Sequence, residues 1–85
     1  MKEAAQTWYI YVLRCVDDTL YTGITNNLDR RLSQHNAGKA ARYTRGRLPV
    51  TLVHTQQVAT RSEALKRELA IKSLSRERKE ILIRE

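Results

Sequence analysis

An α+β fold is predicted, a small three-stranded antiparallel sheet flanked by helices in the order ββαβα with a short C-terminal helix. Three observations lead to it. Two β-branched and aromatic segments stand on either side of an Asp-Asp turn, two later segments open on helix-capping residues, and a third β-rich segment lies between the helical ones.

Trp8-Tyr9-Ile10-Tyr11-Val12-Leu13 is β-branched and aromatic at both alternating positions, which suits a central strand covered on two faces. Asp17-Asp18 turns the chain, and Leu20-Tyr21-Thr22-Gly23-Ile24 returns antiparallel to it. Asn26 or Asn27 caps a helix with Asp29 in its first turn, Leu28 and Leu32 as its apolar anchor and Gly38 as its stop. Arg31 and His35 share the i, i+4 relation and project from one stripe of that helix. Residues 38–49 show no period and are expected to form a long basic loop. Pro49 then leads into a third strand over residues 50–55.

Thr60 and Glu63 have capping-box spacing and open a helix expected to run to about Leu74. On its wheel Glu68 lies about 40° from Ala64 and about 60° from Ile71, so an acid points along the apolar stripe. Ser75 caps a last helix ending in Ile81-Leu82-Ile83, expected to complete the core, with a monomer rather than a dimer as the consequence.

Eighty-five residues allow one domain, 1–85, with the motif-bearing part at about 8–72. A net charge of +7, densest around Lys39, Arg42, Arg45 and Arg47, points to polyanionic partners. The longest apolar run, Trp8 to Leu13, is far short of the roughly 20 residues of a membrane span, so no membrane partner is expected. The first seven residues contain no apolar core of a secretory signal, and a cytoplasmic location is expected. Cys15 has no second cysteine to pair with, and His35 and His54 do not make a zinc site with it; a buried thiol is the reading.

Phenols and imidazoles can move protons, and a guanidinium can grip phosphate oxygens, so Tyr11, Tyr21, Arg31 and His35 are candidate groups for phosphodiester chemistry. An inward Glu68 requires a cation, either a divalent metal or Lys72 one turn along.

Taken together these residues resemble the GIY-YIG nuclease superfamily, in its short single-domain bacterial branch. Tyr9-Ile10-Tyr11 stands where the family has Gly-Ile-Tyr, and Tyr21-Thr22-Gly23 where it has Tyr-Ile-Gly. Arg31 has the spacing of the family's catalytic arginine, His35 stands at a His or Tyr position, and Glu68 matches the metal-binding glutamate. Tyr9 replaces a glycine, Ile24 stands where some relatives have lysine, and no Asn follows Asn36.

The resemblance implies hydrolysis of a phosphodiester with one divalent ion, Mg²⁺ or Mn²⁺, held by Glu68. Arg31 is then expected to neutralise developing charge, with Tyr11 or Tyr21 activating water and His35 relaying or accepting the proton. A phenol with pKa about 10 is ionised at only roughly one part in a thousand at pH 7, so Arg31 and the metal are expected to lower it. Lys39, Arg42, Tyr43, Arg45 and Arg47 are expected to hold the nucleic acid, DNA in preference to RNA. With no recognition domain in the chain, a partner protein is expected to supply targeting, and a structure-selective role in repair or recombination follows by resemblance. The competing reading is a non-enzymatic nucleic-acid-binding module that keeps this fold without turnover.

Overall fold

A computed structural model describes residues 7–85. The secretory-signal expectation rests on residues almost entirely outside that range. Strands β1 (Trp8–Arg14), β2 (Leu20–Thr25) and β3 (Thr51–Val58) form one sheet in the order β2-β1-β3, with both pairings antiparallel. β1 is therefore the central strand, as its two-faced composition predicts. The helices are α1 (Leu28–Asn36), α2 (Arg42–Arg45), α3 (Arg61–Lys72) and α4 (Arg76–Arg84).

α2 corrects the expectation of an uninterrupted basic loop. The Thr44 side chain is fully buried, its hydroxyl donates to the Ala41 carbonyl at 3.2 Å, and the Arg45 amide donates to the same oxygen at 3.1 Å. A single turn held by a buried hydroxyl is too short to display a helical period. Two boundaries also move: β3 continues to Val58, and α3 stops at Lys72, where Ser73 Oγ donates to the Ala70 carbonyl.

Local capping follows the sequence. Asn27 accepts from the Arg30 amide, Thr60 from the Glu63 amide and Ser75 from the Arg78 amide, each satisfying a donor that the first helical turn leaves open.

Alternation along β1 sorts the interior into two clusters. Ile10 and Val12 pack with Ala64 and Ile71 of α3, and Leu82 and Ile83 of α4 close that side. Tyr11, Leu13 and Cys15 pack on the other side with Val50 and with Leu28 and Leu32 of α1. α4 thus completes the core. No helix among the described residues is long and apolar enough to cross a membrane.

An ionic lattice holds α4 against the β1–β2 turn. Arg14 bonds Glu80 through both terminal nitrogens, at 2.7 and 3.0 Å, and also meets Asp18, while Arg76 reaches the same two acids. The hydrogen bonds from Arg14 and then Arg76 hold the Glu80 carboxyl at about 2, against an ordinary 4.5. A folded-state value below the unfolded one stabilises the fold above the unfolded value, and the contribution is lost as pH falls toward 2. Glu80→Gln is expected to lower the melting temperature at pH 7, and the gap to wild type should close between about pH 5 and pH 2 when followed by circular dichroism. A gap independent of pH would remove the lattice as the cause.

Candidate active site

Tyr11 leaves β1 on the side covered by α1. Its cross-strand partner is Gly23, and a Cβ at that position would lie 2.5 Å from the Tyr11 hydroxyl. Gly23 is therefore demanded by space: the phenol lies over the glycine, and any side chain there would displace it. The residues of the two tripeptide motifs are thus neighbours across β1 and β2, with Leu13 opposite Tyr21 in the same ladder.

α1 presents Arg31 and His35 to this phenol. The Tyr11 hydroxyl lies 2.9 Å from His35 Nε2, and Arg31 Nε donates to the same oxygen at 3.4 Å. Gln34 accepts from Arg31 Nη1 at 3.2 Å and helps to fix the guanidinium. His35 is completely buried, and its Nδ1 lies 2.8 Å from Thr44 Oγ1.

One proton arrangement satisfies every one of these contacts. The Thr44 hydroxyl donates to the Ala41 carbonyl, so its oxygen accepts from His35 Nδ1–H. Nε2 is then the unprotonated nitrogen and accepts the Tyr11 O–H, while the Tyr11 oxygen accepts from Arg31. In the other tautomer Thr44 would abandon Ala41, and the Tyr11 proton would lose its acceptor. Tyr21 joins through its ring instead, 5.3 Å from the His35 centroid and 6.4 Å from that of Tyr11.

Burial, and then the charge of Arg31, push the His35 pKa down to about 4, so the imidazole is neutral at pH 7. The same burial pushes the Tyr11 phenol above its ordinary 10.0. The hydrogen bond and charge of Arg31 act in the opposite direction, and Tyr21 and Glu68 add to the rise. Desolvation outweighs the guanidinium, so Arg31 by itself does not bring the phenol below its ordinary value, and the site holds an un-ionised Tyr11 against a neutral His35.

Glu68 occupies the inward stripe of α3 between buried Ala64 and Ile71, and its side chain is 15% exposed. Its nearest cation is Lys72, at 3.2 Å. Leu65 and Leu69 point outward instead, so the apolar stripe is narrower than the composition of α3 suggests. Among the described residues no group of three or more His, Cys, Asp or Glu converges as a metal cage. A single partly buried carboxylate fits an ion of the magnesium kind, which keeps several waters and is completed by substrate phosphate.

Residues 7–80 match the GIY-YIG catalytic domain. The chain belongs to the GIY-YIG family. It is 57% identical over 75 residues to a UPF0213 protein of Natronomonas pharaonis, covering 88% of each chain. It is 47% identical to one of Staphylococcus haemolyticus, covering 91% of this chain and 94% of that one. The solution structure of the UPF0213 protein from Bacillus halodurans superposes with a TM-score of 0.59 at 45% identity, over 91% of this chain and 82% of the other. A protein from E. faecalis, also solved in solution, gives 0.61 at 42% identity, with coverage of 95% and 88%.

The GIY-YIG domain belongs to a nuclease superfamily whose members generally use divalent ions. The family match runs further toward the C-terminus than residues 8–72 and takes in the first half of α4. Tyr9, where the family motif has glycine, pairs in regular register with Thr25 and Gln57, so the ladder at this position accepts a side chain.

The basic segment is divided by the structure. Arg47 is held by contacts within the chain, donating to Asp17 at 3.0 Å and to the Tyr43 carbonyl at 2.7 Å, with its guanidinium 4.1 Å from the Tyr43 ring centroid. Tyr43 in turn stacks on Tyr21 at 5.9 Å, which joins α2 to the site. Lys39, Arg42 and Arg45 are exposed and form no ion pair among the described residues. Two further residues that sequence reasoning passed over hold the site together. Thr44 fixes the His35 tautomer, and Asn36 exchanges two hydrogen bonds with the Val50 backbone, at 2.8 and 3.3 Å, tying the end of α1 to the approach of β3. A threonine among arginines gave no signal of burial.

The neutral imidazole is the form the fold favours, so its contribution is full above about 6.5 and is lost as pH falls through about 4. Nitrogen-15 NMR of the imidazole is expected to show a neutral Nδ1–H tautomer at pH 6 and protonation only near 4. A His35 titration near 6.5 would contradict the buried network. Thr44→Val leaves the Nδ1 proton without its acceptor and is expected to cost about 1–3 kcal/mol in urea unfolding.

Proposed function

We propose that this protein is a metal-dependent endonuclease that hydrolyses phosphodiester bonds in DNA, acting as one domain and selecting its substrate by structure rather than sequence. The observation that carries this reading is the contact of one phenolic oxygen with both His35 and Arg31.

A phosphate bound at Arg31 neutralises the guanidinium that helps to depress His35, so substrate binding raises the basicity of Nε2. Tyr11 then has a proton acceptor already in line, and its oxygen is freed to draw a proton from the attacking water. Arg31 stays beside the phosphate to receive charge that develops on the non-bridging oxygens. Tyr21 supports the imidazole and the Tyr43 ring rather than exchanging the proton. Glu68 would hold the divalent ion, Mg²⁺ or Mn²⁺, which supplies Lewis-acid stabilisation to the leaving oxygen when bound. Lys39, Arg42 and Arg45 would steer the DNA backbone, with Arg47 and Tyr43 shaping the segment that carries them.

A second reading has one observation in its favour. Lys72 already neutralises Glu68, as it would in a nucleic-acid-binding module that has lost turnover.

Wild type, Glu68→Ala and Arg31→Ala would be compared on labelled duplex, single-stranded, nicked and branched DNA and structured RNA, with Mg²⁺, Mn²⁺ or EDTA. Metal-dependent cleavage is expected in wild type, lost in Glu68→Ala and reduced by about 10²–10³ in Arg31→Ala. The rate should rise with pH, and the rise should vanish in Tyr11→Phe while surviving in Tyr21→Phe. Binding without cleavage under every metal condition would establish the second reading.

A further inference from the structure

Beside α1 and the end of β2 the surface opens into a cleft of about 390 Å³, walled by Trp8, Ile24, Arg30, Arg31, Gln34 and Arg61. Arg31 is also the residue that touches the Tyr11 hydroxyl, so the cleft adjoins the reacting groups directly.

The charges here differ from those of the fold's ionic lattice. Arg14, Arg47, Lys72 and Arg76 all hold a carboxylate. Among the described residues Arg30, Arg31 and Arg61 form no ion pair, and no Asp or Glu lines the cleft. Like charges gathered around one concavity repel each other and concentrate counter-anions, so the arrangement is unfavourable unless an anion enters. α3 sets the distance. Arg61 and Glu68 are seven residues apart, about 10 Å along the axis and within roughly 20° of one face.

The cleft also has an aromatic wall. The Trp8 indole is partly buried against the core, and the Arg61 guanidinium lies 5.9 Å from its ring centroid. Aromatic faces and guanidinium planes are the surfaces on which unpaired bases stack. The volume lies near the lower end of the roughly 300–1,000 Å³ typical of small-ligand sites, a scale that suits one nucleotide and not a paired base step.

We propose that this cleft is a nucleotide-binding subsite for one unpaired nucleotide of the nucleic-acid substrate, next to the reacting phosphate. Arg30 and Arg61 take its phosphate, and the Trp8 indole takes its base. The proposal rests on the nuclease reading above and adds a source of structural selectivity: intact duplex must unstack a base to fill the cleft, whereas a flap, gap or single strand offers one freely.

Trp8 is the one tryptophan of the chain, so all indole emission comes from a wall of the cleft. Intact protein in EDTA would be titrated with a short unlabelled oligothymidylate while Trp8 emission is followed. A parallel titration with the fluorescein-labelled strand would read binding by anisotropy. Expected are saturable quenching with the same midpoint as the anisotropy change, and duplex binding without quenching. Arg30→Gln/Arg61→Gln, at two exposed positions, is expected to weaken single-strand binding about tenfold and to reduce the salt slope by about 1.4, with thermal unfolding unchanged. Anisotropy without any emission change, equal quenching by duplex, or wild-type affinity in the double variant would overturn the subsite and leave the nuclease reading standing. No binding to any nucleic acid would end both.

Discussion

The hydrogen bond between Tyr11 and His35 joins the central strand to the first helix, and most of the site is a consequence of making it in a dry interior. His35 can be fully buried only as a neutral imidazole with both nitrogens engaged, which requires Thr44 on one side and the Tyr11 hydroxyl on the other. Thr44 can reach Nδ1 only because α2 turns inward, and α2 is held there by Tyr43 on Tyr21 and by Arg47 on Asp17. The basic segment is therefore part of the support of the imidazole as well as a charged surface.

Desolvation sets the chemical state of this centre more than charge does. It raises Tyr11 and lowers His35 together, and Arg31 offsets only part of the rise at the phenol while adding to the fall at the imidazole. A site in this condition is stable at rest and unready for proton transfer. Arg31 on α1 and Glu68 on the inward stripe of α3 are the charged groups whose fields act on this phenol, in opposite directions.

The fold serves this centre by dividing its work between the two faces of β1. One face carries the phenol and the imidazole. The other packs aliphatic residues against α3 and α4, and that helix pair is fastened to the β1–β2 turn by Arg14, Glu80, Arg76 and Asp18. Among the described residues, the arginines used for fastening are paired with acids and those around the cleft are not, so charge pairing separates structural cations from those that line the concavity.

Local signals in the sequence determined the strands, the helix caps and the stripe shared by Arg31 and His35, because alternation, capping and the i, i+4 relation all act within a few residues. The motif spacing of Tyr11, Tyr21, Gly23, Arg31 and Glu68 was also legible, and so was the family. Three matters depended on contacts between residues far apart. Which tyrosine meets His35 was decided by the lie of the Tyr11 ring over Gly23. The direction of the phenol's shift was decided by burial, which no linear pattern measures. The contacts of Thr44 and the cleft between Trp8, Arg30 and Arg61 emerged only when α1, α2, β1 and α3 were brought together, since a buried hydroxyl and a concavity are defined by their neighbours in space.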